Sequence, residues 1–106
     1  MWEYSTSIDI ASLLSSDSPV IIFKHSNRCS ISDIAFRRIK DARQELNSSA
    51  KFTLIDVVAN RSISLQIAEE LDVPHESPQV IVLKNGKVVH TASHMNIRPS
   101  VILSHL

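Results

Sequence analysis

Two hydrophobic patterns alternate along the chain. Four short runs rich in β-branched residues predict strands, and their continuous apolar character is typical of strands covered on both faces; these are Val20–Phe23, Phe52–Ile55, Val80–Leu83 and Val88–Thr91. Elsewhere apolar residues recur at helical spacing, which predicts helices. The helical positions are Ile8, Leu13 and Leu14; Ile31, Ile34, Ala35, Ile39, Ala42 and Leu46; Ile63, Ile67, Ala68 and Leu71; and Val101, Ile102 and Leu103.

Turn and capping residues separate these elements. Asn60 is a suitable N-cap for the third helix, and Pro99 is tolerated in the first turn of the last one. Asn85-Gly86 between two β-rich runs predicts a hairpin, because both turn positions tolerate positive φ. Helices therefore alternate with strands before a final hairpin and helix. This order predicts the thioredoxin-like α/β arrangement, with a four-stranded mixed sheet and helices on both faces.

Composition narrows the class of protein. The chain has 106 residues and is 43% hydrophobic, so we expect residues 1–106 to form one domain. Its 11 acidic and 11 basic residues balance, which gives no basis for a nucleic-acid or membrane partner. Neither a signal-peptide pattern nor a spanning segment is evident, and a single cysteine fits a reducing compartment. We therefore expect a cytoplasmic location, and the oligomeric state is left open.

Cys29 is the candidate reactive group. It follows the first main strand and precedes the long helix, roughly opposite that helix's apolar stripe. A helix N-terminus favours a thiolate, and Arg28 adds a fixed positive charge. Such surroundings lower a cysteine pKa from about 8.5 towards ~7 or below. The alternative is that Cys29 is an inert, buried apolar side chain.

Two further segments complete the predicted site. Cys29-Ser30-Ile31-Ser32 has the Cys-x-x-Cys frame with serine in the second position, so Ser32 cannot resolve a mixed disulfide but can donate a hydrogen bond to sulfur. His75-Glu76-Ser77-Pro78-Gln79 precedes a strand at the point where thioredoxin folds carry a cis-proline. With Pro78 cis, the Ser77 N–H and C=O would pair with an extended substrate. An ordinary trans-proline is the alternative.

These residues carry a resemblance to a known family. FKHS before Cys29, RSISLQIAEELDVPHESPQV and NGKVVHTASHMNI are similar to the YtxJ-type monothiol bacilliredoxins, over nearly the whole length. The resemblance implies that Cys29 is the nucleophile and takes bacillithiol, or another low-molecular-weight thiol, from S-thiolated proteins. It also implies that a second thiol or a reductase regenerates Cys29. Disulfide exchange needs no bound cofactor or metal.

The chain departs from the family motif beside the nucleophile. The family's Thr-Cys-Pro-Ile-Ser is Arg28-Cys29-Ser30-Ile31-Ser32 in this chain. Ser30 restores an N–H, and Arg28 adds charge where the small thiol approaches, so both bear on which thiol is accepted. Met95 replaces an aromatic residue of the family.

Other interpretations remain open from the sequence. His25, His75 and His94 could join Cys29 in a metal site, although nothing in their spacing enforces it. A monothiol can also share an iron–sulfur cluster, which normally uses a Cys-Gly-Phe-Ser motif that is absent from this sequence. His75 either tunes Cys29 or is an ordinary loop residue. Phe36 is either lateral packing or a substrate platform. The whole chain could instead be a non-catalytic interaction module that uses the Ser77–Pro78 groove, or a thiol redox sensor.

Overall fold

A computed structural model describes residues 3–4, 10–26, 30–42, 44–46 and 50–106. The strands are β1 (Glu3–Tyr4), β2 (Val20–His25), β3 (Lys51–Asp56), β4 (Gln79–Lys84) and β5 (Lys87–Ser93). The helices are α1 (Ile10–Leu14), α2 (Ser30–Asp41), α3 (Arg61–Leu71) and α4 (Pro99–Ser104), with a 3-10 helix at His94–Asn96 before α4. Among these residues, no helix is long and apolar enough to cross a bilayer.

The five strands form one mixed sheet in the order β1-β3-β2-β4-β5. β1 and β2 both run parallel to β3, whereas β4 is antiparallel to β2 and to β5. Strand β2 thus lies at the centre, between a parallel and an antiparallel neighbour. As expected for the middle strand of the sheet, five of its six residues, Val20–Lys24, are at most 1% exposed.

The alternating side chains of β2 divide the core between the two faces of the sheet. Ile21 and Phe23 pack with Ala35 and Ile39 of α2 and with Ile102 of α4. Val20 and Ile22 point the other way, into a second apolar cluster with residues of α1 and α3: Ile10, Leu13 and Ile67. Helices therefore cover both faces, as the sequence predicts.

Most elements confirm the sequence analysis, and four features differ. α2 ends at Asp41, before Ala42 and Leu46, which the hydrophobic pattern placed on the same helix. The four predicted strands and the mixed sheet are present, and Glu3–Tyr4 adds a short edge strand that the hydrophobic pattern did not reveal. Ile34 was expected on the inner stripe of α2 but is 44% exposed, so that prediction is wrong. Asn60 does occupy the N-cap position of α3, but its side chain makes no capping hydrogen bond.

The predicted hairpin between β4 and β5 is confirmed. Asn85 and Gly86 have φ of 54° and 77°, which is the left-handed region required at both central positions of a type I′ turn. Gly86 is also close to the end of α1, because a Cβ on this residue would lie 2.5 Å from the Leu14 carbonyl oxygen. Backbone conformation and space both require glycine at this turn.

We expect Gly86→Ala to destabilise the protein by about 1–3 kcal/mol, since it combines positive φ with a backbone clash. Urea unfolding monitored by circular dichroism measures the change. Lys87→Ala, one residue further on at an exposed position, is the matched control and should change stability by less than about 0.5 kcal/mol. Equal stability of Gly86→Ala and Lys87→Ala would contradict this account of the turn.

Candidate functional site

The candidate site lies at the edge of the sheet where β2 ends and β4 begins. Because the two strands are antiparallel, Lys24 near the end of β2 pairs with Gln79 at the start of β4. Ser26 then leads out of β2 towards Ser30, the first residue of α2, while Pro78 leads into β4. The register of the central strand pair thus brings the Pro78 segment, which precedes β4, to the edge of the sheet where β2 ends.

The Ser77–Pro78 peptide bond is cis, which confirms the sequence prediction for this loop. The loop is held from both sides: the Pro78 carbonyl accepts a hydrogen bond from His94 N–H at 3.0 Å, and Gln79 Nε2 donates to the Pro74 carbonyl at 2.9 Å. Pro78 itself is buried. The proline is therefore fixed against the turn that follows β5.

Ser77 offers hydrogen-bonding groups that the rest of the described chain does not use. Within residues 3–4, 10–26, 30–42, 44–46 and 50–106, its N–H and C=O take part in no backbone hydrogen bond, and its buried Oγ has no partner. The Oε1 atom of Gln79 is likewise buried without a partner in the described chain. Buried polar groups are normally paired, so this segment has capacity for a ligand or substrate.

The buried side chain of Lys24 contacts the same loop through His75. Lys24 is 0% exposed, and its Nζ donates to the Ser64 carbonyl of α3 at 2.9 Å. The same Nζ lies 3.3 Å from His75 Nδ1, and Ser64 Oγ lies 3.2 Å from that nitrogen. The imidazole of His75, three residues before Pro78, is thus tied to both β2 and α3.

This cluster determines the protonation of His75. Burial lowers the pKa of Lys24 to about 8, so its ammonium group persists at neutral pH and acts as a donor. Burial also lowers the pKa of His75, with further lowering by the positive charges of Lys24 and Arg61. A neutral imidazole that accepts at Nδ1 carries its proton on Nε2. His75 therefore presents an N–H donor while its other nitrogen holds the loop.

A buried pair of polar side chains lies on the opposite face, at the start of α2. His25 Nδ1 is 2.7 Å from Ser32 Oγ, and the Ser26 N–H donates to the same oxygen at 3.0 Å. Both His25 and Ser32 are buried, and the Phe36 ring stacks at a tilt over His25 with 4.6 Å between centroids. The half-buried ring of Phe36 thus packs laterally against His25.

Of the remaining predicted site residues, the structure describes Ser30 alone. Ser30 is the exposed first residue of α2. Arg28 and Cys29 lie outside the described residues, so the predictions for both remain predictions. The structure places His75, Ser77 and Pro78 on the loop before β4, and Ser32 in the first turn of α2.

The arrangement bears on the metal interpretation. His25 and Lys24 are neighbours in β2 and point to opposite faces, and His75 contacts Lys24. His25 and His75 therefore do not converge on one point. Within the described part of the chain, no group of three His, Cys, Asp or Glu side chains could hold a metal ion.

Sequence reasoning missed the supporting roles of Lys24, His25 and Ser64, and it considered His25 only as a possible metal ligand. A signal existed for the first two, because a lysine and a histidine directly continue the apolar run of β2. Charged side chains at the end of a central strand are costly unless paired, so they call for specific partners. Nothing local in the sequence marks Ser64, which lies 40 residues from Lys24.

Comparison with known proteins agrees with this architecture. A family model described as monothiol bacilliredoxin BrxC matches residues 4–102. A solved structure described as having a thioredoxin fold is 28% identical, with a TM-score of 0.85 over 98% of this chain and 92% of its own. Thioredoxin from Fasciola hepatica is 17% identical, with a TM-score of 0.69 over 91% of this chain and 88% of its own, and shows the fold alone.

The buried ammonium of Lys24 predicts a characteristic pH dependence of stability. Because its pKa falls from 10.5 to about 8 on folding, the folded protein binds fewer protons than the unfolded chain between these values. The free energy of unfolding should therefore rise with pH across this window, by at most about 3 kcal/mol from this group. Below about pH 8 the full penalty of the buried charge is present.

We expect Lys24→Met to remove this rise, which urea unfolding at intervals between pH 7 and 10.5 would measure. Lys87→Met removes an exposed lysine and should keep the wild-type slope. A Lys24→Met slope parallel to that of the wild type would show that Lys24 does not titrate in this range.

Proposed function

The chain belongs to the monothiol bacilliredoxin family, and on this premise we propose that it is a thiol–disulfide oxidoreductase whose nucleophile is Cys29. Its substrates are proteins that carry a low-molecular-weight thiol in a mixed disulfide, and bacillithiol is the thiol that the family implies. The observation that carries the proposal is the family match, which spans residues 4–102 and includes the only cysteine of the chain.

The proposed reaction is a pair of disulfide exchanges. The Cys29 thiolate attacks the sulfur of the small thiol, the mixed disulfide breaks, and the protein thiolate leaves and takes up a proton. Cys29 is then bonded to the small thiol. A second small thiol attacks that adduct, which releases Cys29 and a symmetrical disulfide for an external reductase. Every step exchanges one S–S bond for another and needs no bound cofactor.

The described geometry supports substrate binding at the cis-proline loop. The Ser77 N–H and C=O have no backbone partner in the described chain, so an extended segment of an S-thiolated protein would pair with them as an added strand. Pro78 anchors this loop, and the N–H of neutral His75 is a donor for a thiolate or a carboxylate nearby. Ser32 supplies a hydroxyl on the other side of the site.

Arg28 and Ser30 are the proposed determinants of thiol choice. Bacillithiol carries a malate arm, and a guanidinium group beside the nucleophile favours an anionic thiol. Ser30 adds an N–H that the family's proline lacks. A reducing compartment such as the cytoplasm is the proposed location, because a lone reactive thiol is maintained there.

Replacement of Cys29 tests the mechanism directly. Wild-type protein incubated with a bacillithiolated protein should gain the mass of bacillithiol on Cys29 and release the substrate thiol, as intact-protein mass spectrometry would show. Cys29→Ser should form no adduct and lose at least about a thousandfold in rate, because the nucleophile is removed. Wild-type protein alkylated at Cys29 beforehand is the matched control.

The same experiment separates the other interpretations. A non-catalytic interaction module would bind the protein part of the substrate equally well as Cys29→Ser and would never accumulate an adduct. A redox sensor would form the adduct but would not turn over with excess small thiol. Either pattern would contradict the proposed enzyme.

Arg28→Thr tests the choice of thiol by charge. We expect kcat/KM for a bacillithiolated protein to fall by about two- to fivefold, the size expected for one exposed ion pair, and to fall less at high salt. The control substrate carries cysteamine, which has no carboxylate, and its kcat/KM should not fall. An equal loss with both substrates would show that Arg28 does not read the carboxylates.

A further inference from the structure

Two histidine rings stack where the end of α4 meets strand β5. The ring centroids of His90 and His105 are 4.5 Å apart, and the ring planes are inclined by 10°. His90 lies in the middle of β5, and His105 directly follows α4. Both side chains are half-buried. Neither residue belongs to the candidate site, so the stack is a separate feature of the fold.

The stack helps to hold a short helix on the sheet. α4 has six residues, and a helix of this length is not stable without tertiary contacts. Ile102 anchors its inner face in the apolar cluster that α4 shares with α2. Two polar contacts then link the end of α4 to the hairpin of β4 and β5. One is the stack of His90 on His105, and the other is a hydrogen bond of 3.2 Å from Lys84 Nζ to the Leu106 oxygen.

The closed stack suits a neutral His90 better than its imidazolium. The Nε2 atom of His90 is buried and has no hydrogen-bond partner among the described residues. A neutral ring can carry its single proton on Nδ1 and leave Nε2 without a hydrogen, whereas an imidazolium has an N–H at both nitrogens. Protonation in the closed stack would therefore bury an unpaired donor together with a positive charge, and both are costly.

The charged groups around His90 also oppose its protonation. Burial lowers the pKa of His90, and the positive charge of His105 lowers it further. The Lys84 ammonium near the end of α4 is positive as well. Within the described chain, no carboxylate offsets these effects on the pKa of His90. At pH values below about 6.5, the folded protein therefore binds fewer protons at His90 than the unfolded chain does.

We propose that the His90–His105 stack is an acid-sensitive latch, which holds α4 on the sheet and releases it when His90 takes up a proton. The released state binds the proton that the closed stack excludes, so falling pH shifts the equilibrium towards release. Release of Ile102 uncovers part of the apolar cluster around Ile21 and Phe23, which α2 also covers. The latch is independent of the thiol chemistry proposed for this protein.

Amide hydrogen exchange measured by NMR between about pH 5 and pH 7.5 tests the latch. The N–H groups of Ile102 and His105, which are hydrogen-bonded within and at the end of α4, are compared with those of β2. Below the titration midpoint of the His90 ring, protection in α4 relative to β2 should fall by up to about tenfold per pH unit, because each release takes up one proton. That midpoint should lie below about 6.5.

Two variants isolate the role of the His90 proton. His90→Phe keeps a planar ring in the stack but cannot be protonated, so the protection of α4 relative to β2 should stay constant over this pH range. His105→Phe removes the positive charge that faces His90, so the His90 midpoint should rise. His94→Asn is the matched control, because it removes an exposed histidine and asparagine tolerates the positive φ of this position. It should behave like the wild type.

Three results would overturn the latch. They are wild-type α4 protection that does not change with pH, a fall in α4 protection that persists in His90→Phe, and a parallel loss of protection in β2, which would indicate global unfolding. If His90→Phe does not fold, His105→Phe decides the question. Release of α4 at a higher pH, in step with the higher His90 midpoint, supports the latch, and release at the wild-type pH contradicts it.

Discussion

The antiparallel pairing of β2 with β4 is the constraint on which the candidate site depends. It places Lys24 opposite Gln79 and so sets the carboxyl end of β2 beside the cis-proline loop. These segments are far apart in sequence, and no contact within either one would bring them together. A slip of one strand by one residue would move each of its side chains to the opposite face of the sheet, and would separate Lys24 and His25 from their partners.

Successive side chains of β2 point to opposite faces of the sheet, so its last two residues contact different elements. Lys24 points towards α3 and contacts His75, which steadies the loop before Pro78. His25 points towards α2 and contacts Ser32. One strand end therefore supports both walls of the site, and a displacement of β2 would disturb the loop and the helix start together. This links the packing of the central strand to the geometry available to a substrate.

Much of this arrangement could be predicted from local sequence patterns. The buried strands, the Asn85-Gly86 turn and the cis-proline loop each have a signal within a few residues, and all are confirmed. The edge strand Glu3–Tyr4 has only two residues, which is too short for a hydrophobic periodicity to predict it. The contacts of Lys24 with Ser64 and His75 span 40 and 51 residues and depend on the assembled sheet.

Lys24 and His25 interrupt the hydrophobic pattern of β2 at the end of the strand that lies next to the candidate site. The apolar run of β2 would extend naturally through both positions, and hydrophobic residues would avoid the cost of burying ionisable groups. The fold alone thus gives no reason for a lysine and a histidine at the end of the central strand. Departures from the hydrophobic pattern are expected where function requires specific polar groups. Both departures occur at the end of β2 that adjoins Pro78 and the segment leading to Cys29. Lys24 contacts His75 and His25 contacts Ser32, and the sequence analysis had already proposed both of these partners as site residues. The stability lost at these two positions therefore coincides with the place where thiol chemistry needs a fixed loop and a directed hydroxyl.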